Sequence, residues 1–242
     1  MERKITGVCF SPTGGTKRAL EHICGLFGQA ELLELGAGRQ WECTMGRDEL
    51  LVLALPVYAG QIPAVPGLLD GLSGNETPCI IVAAYGNRHY DNALAQMKKE
   101  VEARGFRCAA GAAVVTPHTF APTLGAGRPD EADMEVLSGF ARQVEEKLDR
   151  ADWQPAQVPG DPAVPVEKDR DWDICLGCGF CAQVCPTGAM DRQTLLWDKG
   201  TCISCMACVS HCPVGALGYN SSALASRLTQ LYSQRRPVET FL

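Results

Sequence analysis

The sequence carries neither a GxxxxGK[ST] phosphate loop nor a GxGxxG turn, which counts against ATP and NAD as its main ligand. It is also short of positive charge. Lys and Arg number 22 against 28 Asp and Glu, for a formal charge of −6, so no basic footprint for nucleic acid or an anionic membrane is present. No apolar leader follows Met1-Glu2-Arg3-Lys4, which runs straight into a strand-like Ile5–Phe10; no secretory signal is expected. Two stretches, Leu50–Leu69 and Cys108–Gly127, contain no charged residue and have the length of a membrane span. Pro56, Pro63 and Pro66 break the first, and Pro117 and Pro122 break the second, so both read as buried strand followed by loop. A cytoplasmic chain without a membrane span is expected.

Cysteine is plentiful, at 13 residues. An odd number without a secretory leader points to a reducing compartment, where thiols stay free for metal. Eight of them form two copies of one pattern: Cys175, Cys178, Cys181, Cys185-Pro186 and Cys202, Cys205, Cys208, Cys212-Pro213. Both read C-x2-C-x2-C-x3-C-P, the spacing of bacterial two-cluster ferredoxins, and four thiolates are needed for each cubane. Two [4Fe–4S] clusters are therefore expected. In this motif the fourth cysteine ligates the other cluster, which groups Cys175, Cys178, Cys181 and Cys212 at one site and Cys202, Cys205, Cys208 and Cys185 at the other. Structural zinc is the competing reading, but it has no use for the third x2 step or the x3-C-P ending. Cys9, Cys24, Cys43, Cys79 and Cys108 read as small hydrophobes without a metal role.

Residues 1–150 alternate strand-like and helix-like segments. Strands are expected at Lys4–Phe10, Glu31–Leu35, Leu50–Leu55, Pro78–Ala84 and Phe106–Val115, with helices at Thr16–Phe27, Val65–Leu72, Asn92–Arg104 and Asp130–Arg150. Continuous apolar strands separated by helices imply an α/β fold with a doubly wound five-stranded parallel sheet. Residues 151–170 carry Pro155, Pro159, Pro162 and Pro165 and read as a semi-rigid linker. Residues 171–218 form a small α+β two-cluster ferredoxin domain whose halves repeat at an offset of 27 residues, keeping Pro186/Pro213, Gly188/Gly215 and Ala189/Ala216. Residues 219–242, with Leu224, Leu228 and Leu231 at helical spacing, are expected to be a helical tail.

Three loops fall at the carboxyl ends of the expected strands, where doubly wound sheets bind ligands. Ser11-Pro12-Thr13-Gly14-Gly15-Thr16 opens a helix and suits an anion, because backbone N–H groups and the helix dipole point at it. Pro56-Val57-Tyr58-Ala59-Gly60 and Tyr85-Gly86-Asn87-Arg88-His89-Tyr90-Asp91 supply aromatic and polar groups suited to a flat heterocycle. The first loop resembles the [ST]-x-T-G-N-T phosphate loop of flavodoxins, with Gly15 in place of the asparagine. With the cysteine motifs, the chain as a whole resembles the flavodoxin–ferredoxin fusion proteins of anaerobic bacteria and archaea (EFR-type ferredoxins). The resemblance implies that Ser11, Thr13, Gly14, Gly15 and Thr16 hold the phosphate of FMN. It further implies that Pro56, Val57, Tyr58, Ala59, Gly60, Tyr85, Gly86, Asn87, Tyr90 and Asp91 surround the flavin ring. His118 and Phe120, after the fifth strand, are candidates to reach the same edge, a structural role being the alternative for a lone loop histidine.

The expected function is electron transfer between FMN and two [4Fe–4S] clusters, with redox proteins as partners. The alternative is an FMN-dependent reductase of a small substrate fed by its own clusters, with Arg88, His89 and His118 as candidate proton donors or anchors. The Pro-rich linker leaves open whether the clusters serve the flavin of their own chain or that of a second subunit in a homodimer.

Overall fold

The computed structural model describes residues 3–36, 41–160, 169–198, 201–218 and 221–242. Strands β1 (Lys4–Phe10), β2 (Ala30–Leu35), β3 (Cys43–Met45), β4 (Glu49–Pro56), β5 (Leu72–Gly74), β6 (Thr77–Tyr85) and β7 (Phe106–Val115) come first. Helices α1 (Gly15–Phe27), α2 (Ala93–Glu102) and α3 (Glu131–Leu148) are interspersed among and after them. Five strands run parallel in the order β2-β1-β4-β6-β7. Counted in chain order this is 2-1-3-4-5, the flavodoxin-like doubly wound arrangement.

The strand composition dictates that arrangement. In β4, Leu51, Leu53 and Leu55 enter one hydrophobic layer, while Leu50, Val52 and Ala54 enter the other. β6 divides in the same way, Cys79, Ile81 and Ala83 against Ile80 and Val82. A strand apolar on both faces needs cover on both, and each fully buried Leu or Ile side chain contributes roughly 1.5–3 kcal/mol. Helix α2 supplies Leu94, Met97 and Val101 to one layer; α1 and α3 supply Leu20, Ile23, Leu137 and Phe140 to the other. Helix α3 begins at Asp130 with a reciprocal capping box to Asp133.

The helix expected at Val65–Leu72 is absent. Turns run through this stretch, Gly67 sits at φ +71°, and Gly71 lies so close to Trp41 that a Cβ would stand 1.9 Å from its carbonyl oxygen. The chain leaves this turn as β5, paired in parallel with β3. Strand pairing here outweighs helix propensity.

The cysteine-rich segment folds as β8 (Asp169–Arg170), α4 (Phe180–Gln183), α5 (Ala207–Ser210) and β9 (Leu217–Gly218), with β8 and β9 antiparallel. Residues 219–242 are not simply a helical tail. Helix α6 (Ser221–Tyr232) is followed by β10 (Glu239–Phe241), which pairs antiparallel with β7 and makes a sixth strand of the main sheet. It covers the open N–H and C=O groups that an edge strand otherwise presents. Residues 219–220 and the side chain of Leu224 lie outside the described residues.

The described half of the expected linker is not a free spacer. Arg107 stacks on Trp153 at 4.1 Å, the Ala156 amide donates to the Cys108 carbonyl (2.8 Å), and Val158 packs into the core layer that holds α2. This strap ties residues 153–158 to β7; residues 161–168 lie outside the described part. No described helix is long and apolar enough to cross a membrane.

Candidate functional site

Residue Gly14, at φ +80°, turns the chain from β1 into α1. The Lys17 amide donates to Ser11 Oγ (2.9 Å) and the Arg18 amide to the Gly14 carbonyl (3.2 Å). Among the described residues the amides of Gly15 and Thr16 take no partner, and the first turn of α1 has no acidic residue. A helix start with free amides and uncompensated dipole is an anion site. Ser11 itself is buried and spends an acceptor lone pair on Lys17, which shapes the loop.

This loop opens into a cavity of about 850 Å³, a volume suited to a cofactor. Of the expected flavin residues, Thr13, Gly15, Thr16, Pro56, Val57, Tyr58, Ala59, Gly60, Tyr85, Gly86, His118 and Phe120 line it. Tyr58 and Gln61 exchange backbone hydrogen bonds around Ala59 (φ +50°) and Gly60 (φ +80°), a tight turn that carries Tyr58 to the cavity wall. The Tyr58 hydroxyl is buried without a hydrogen-bond partner. Gly86 is required by close approach, since a Cβ there would meet the His118 ring at 2.5 Å.

Ser11, Gly14, Asn87, Tyr90 and Asp91 do not line the cavity. Ser11 and Gly14 form the back of the β1–α1 loop. The other three hold neighbouring chain. Asn87 Nδ2 donates to the carbonyls of Tyr232 (2.7 Å) and Gln234 (2.9 Å), and its Oδ1 accepts from the Arg236 amide (3.2 Å). Tyr90 donates to Glu239 (2.7 Å), while Asp91 pairs with Arg88. Sequence reasoning also missed a wall. Arg227, Leu228, Leu231 and Tyr232 of α6 close the side of the cavity, and only their helical spacing hinted at an apolar face.

Burial, with Arg88 nearby, lowers His118 from 6.5 to about 4. Its Nδ1 accepts the Phe120 amide (3.1 Å), a bond that protonation at Nδ1 would abolish. The unfolded chain takes up this proton below about 6.5 and the folded chain only near 4, so stability is complete above that window and falls as pH drops through it. Between pH 7 and pH 5 the loss expected from this group is about 2 kcal/mol. Urea unfolding of His118→Gln at both pH values checks this: the variant should lose less stability than the wild type on acidification.

The cysteines divide by environment. Burial pushes Cys9 and Cys24 up to about 12, and raises Cys79 well above its ordinary value, as for inert core thiols. At three motif cysteines the shift goes the other way. The Gly177 amide and then Arg170 lower Cys175. Burial raises Cys185 and Cys212, but backbone amides outweigh it: those of Thr187, Met190 and Ala189 for Cys185, and those of Val214 to Leu217 for Cys212. Hydrogen-bonded thiolates are what a metal cage requires. Cys185, Cys202, Cys205 and Cys208 line one small cavity together. Cys175 lies within electrostatic range of Cys212, and the Arg170 side chain spans Cys175 and Cys181.

The repeat is not symmetric in detail. Gly177 and Gly179 of the first motif, at φ +64° and +72°, correspond to Ser204 and Met206 of the second, at φ +54° and +59°. A side chain in this region costs roughly 1–2 kcal/mol per residue. Their surroundings account for the substitution: Ser204 lines the large cavity and Met206 is fully buried. Ile203 packs on the sheet's core layer, Val209 and Ser210 also line the large cavity, and Cys205 raises the Tyr58 hydroxyl after burial has done so. The second-motif cage thus abuts the cavity formed by the strand-end loops.

Residues 168–213 match a family model described as a 4Fe-4S dicluster domain. No curated protein matches the chain. Among solved structures the chain is similar to flavodoxin 2 from Bacillus cereus, at 16% identity over 60% of this chain and 99% of that one (TM-score 0.43). It is similar also to a flavodoxin from Streptococcus pneumoniae TIGR4, at 17% identity over 59% and 99% (TM-score 0.41). A flavoprotein from Bacteroides eggerthii shares 13% identity over 59% and 98% (TM-score 0.41). The chain joins a sheet of flavodoxin-like strand order to an iron–sulfur domain of the 4Fe-4S type.

Proposed function

We propose that the chain is an electron-transfer protein that couples FMN, held at the strand-end loops, to two [4Fe–4S] clusters within one subunit. The observation that carries this reading is the shared wall: residues of the second cysteine motif line the same cavity as Thr13, Tyr58 and Gly86. FMN exchanges one or two electrons, whereas each cubane exchanges one, so the pair links the two kinds of carrier. The Gly15 and Thr16 amides, the Thr13 and Thr16 hydroxyls and Arg18 would hold the phosphate. The turn at Tyr58–Gln61 and the segment at Gly86 would flank the ring, with His118 neutral beside it.

The functional units are residues 1–150 for the flavin and 171–218 for the clusters. Residues 153–158 and the segment after the second motif fasten the second unit to the first. We assign Cys202, Cys205, Cys208 and Cys185 to the inner cluster, against the cavity. Cys175, Cys178, Cys181 and Cys212 hold the outer one. Around the exposed Cys178, the side chains of Trp172, Ile174, Leu176 and Phe180 are also exposed. This apolar face is where a protein redox partner exchanges electrons with the outer cluster. No step requires a second subunit, and an odd number of cysteines, eight of them in metal-type motifs, supports a reducing compartment such as the cytoplasm.

Anaerobic reconstitution tests the reading directly, with about eight irons and one FMN expected per chain. Zinc in place of iron would overturn it. Thr13→Ala removes a hydrogen bond to a charged phosphate, worth roughly 1.5–3 kcal/mol, so FMN affinity should fall about ten- to a hundredfold with iron content unchanged. Fluorescence titration of the apo-flavin protein measures this, and unchanged affinity would reduce the loop to a helix cap.

A second reading, reduction of a small substrate at the flavin, is favoured by the cavity's own form. Its side wall is α6 rather than open solvent, and Arg88, His89 and Arg227 face into it. Reoxidation of the reduced protein by small anionic acceptors, at rates independent of any added redox protein, would select this reading over pure carrier function.

A further inference from the structure

The two halves of the cysteine repeat contain a built-in comparison. Five residues before the first cysteine of each motif stand Arg170 and Trp197, which correspond at the 27-residue offset. Arg170 is held by the β8–β9 pairing with its guanidinium against the first motif. Nη1 donates to Cys175 Sγ (3.3 Å), while Nη2 reaches Cys181 Sγ (3.7 Å), Met190 Sδ (3.5 Å) and the Leu195 carbonyl (2.7 Å). The Trp172 ring covers its other side, 5.0 Å from the guanidinium carbon. At the second motif the equivalent place is taken by the indole of Trp197, which lines the cavity of Cys185, Cys202, Cys205 and Cys208.

Burial differs in the same sense. Cys205 is 7% exposed, whereas its counterpart Cys178 is exposed and the neighbouring Leu176 is 67% exposed; the third pair, Cys181 and Cys208, is equally buried. One-electron reduction of a thiolate-ligated cubane adds a negative charge. A nearby cation, N–H···S bonds and water all stabilise the more negative state, and an apolar dry surround does the opposite.

We propose that Arg170 holds the cluster of the first motif at a more positive reduction potential than that of the second. Resting electrons then collect on the outer cluster, and the inner cluster beside the flavin cavity is the more strongly reducing of the two. Arg170 acts here as a tuning residue: it donates to ligand sulfurs without being a ligand. The inference rests on the assignment of the two sets of four cysteines given above.

The test is an anaerobic EPR-monitored potentiometric titration of the full chain as wild type, Arg170→Gln and Arg170→Lys, with Cys185→Ala to identify which step belongs to which motif. Wild type should titrate in two steps, and the more positive should be the one that survives in Cys185→Ala. In Arg170→Gln that step should move to more negative potential, towards the other, which stays in place. Arg170→Lys should move it less, because the charge remains while the planar contact to two sulfurs is lost. A more positive step that does not move in Arg170→Gln at full iron content overturns the proposal, as does movement of the second-motif step instead. If Arg170→Gln and Arg170→Lys each lose half their iron, Arg170 belongs to the scaffold and the proposal falls as well. Failure of the underlying assignment shows separately in the wild type, as absence of two cubane signals.

Discussion

Replacement of Cys185 by alanine is expected to halve the iron, from about eight to about four atoms per chain, while the cluster of its sequence neighbours Cys175, Cys178 and Cys181 survives. The reason is spatial. Cys185 lines one cavity with Cys202, Cys205 and Cys208, and Cys212 lies electrostatically beside Cys175. Because the second-motif cage abuts the flavin cavity, the variant should also lose rapid reduction of its flavin by a donor that docks at the first motif. Iron analysis with EPR reads the first effect and stopped-flow absorbance the second. A variant that keeps the second-motif signal and loses the first would contradict the grouping. Flavin reduction at the wild-type rate would mean that the inner cluster lies off the path.

A comparably large effect is expected at Asn87, through a different route. Its side chain is nearly fully buried and makes three hydrogen bonds to the backbone at Tyr232, Gln234 and Arg236, while its own φ is +59°. Alanine deletes all three bonds and sits poorly in the left-handed region, together about 3 kcal/mol or more. That corresponds to over a hundredfold in local opening, so amide exchange of α6 and β10 should accelerate by about that factor without loss of iron. Asn87→Gly relieves the backbone but not the lost bonds, and should leave most of the effect. Wild-type protection of the Thr240 and Phe241 amides in both variants would show that the segment is held by other contacts, such as those of Arg235 with Asp130 and Asp133.

The legible parts of this molecule are those whose pattern is short-ranged. The cysteine spacings describe a loop around one cage, and the unbroken apolar run of Leu50–Leu55 describes a strand covered on both sides. Both can be read without knowing what lies elsewhere. The three strand-end loops were legible because the parallel topology fixes which ends of the strands meet. Within them, side-chain direction was not. Gly86 and Asn87 are adjacent, yet one faces the cavity and the other faces away, towards a segment nearly 150 positions later. Nor was β10 legible: three residues carry too little alternation to announce a strand, and its pairing with Ala113 depends on a vacant sheet edge. The turn at 65–71 carries a helix-like pattern for the converse reason, since Val65, Leu68 and Leu69 serve the core layer under the sheet rather than a helical face.

The antiparallel strand β10 also orders events on the ribosome. Domains tend to fold as their residues emerge, N-terminal portions first. Here the outer edge of β7 and the side wall of the strand-end cavity wait for residues made after both cysteine motifs; the Tyr90–Glu239 bond spans 149 positions. During synthesis the cavity is open on that side, and the cysteine loops are accessible before α6 and β10 come into place. The cofactor sites are therefore reachable before the fold closes, and an assembly stalled before β10 would present an unpaired strand edge to its neighbours.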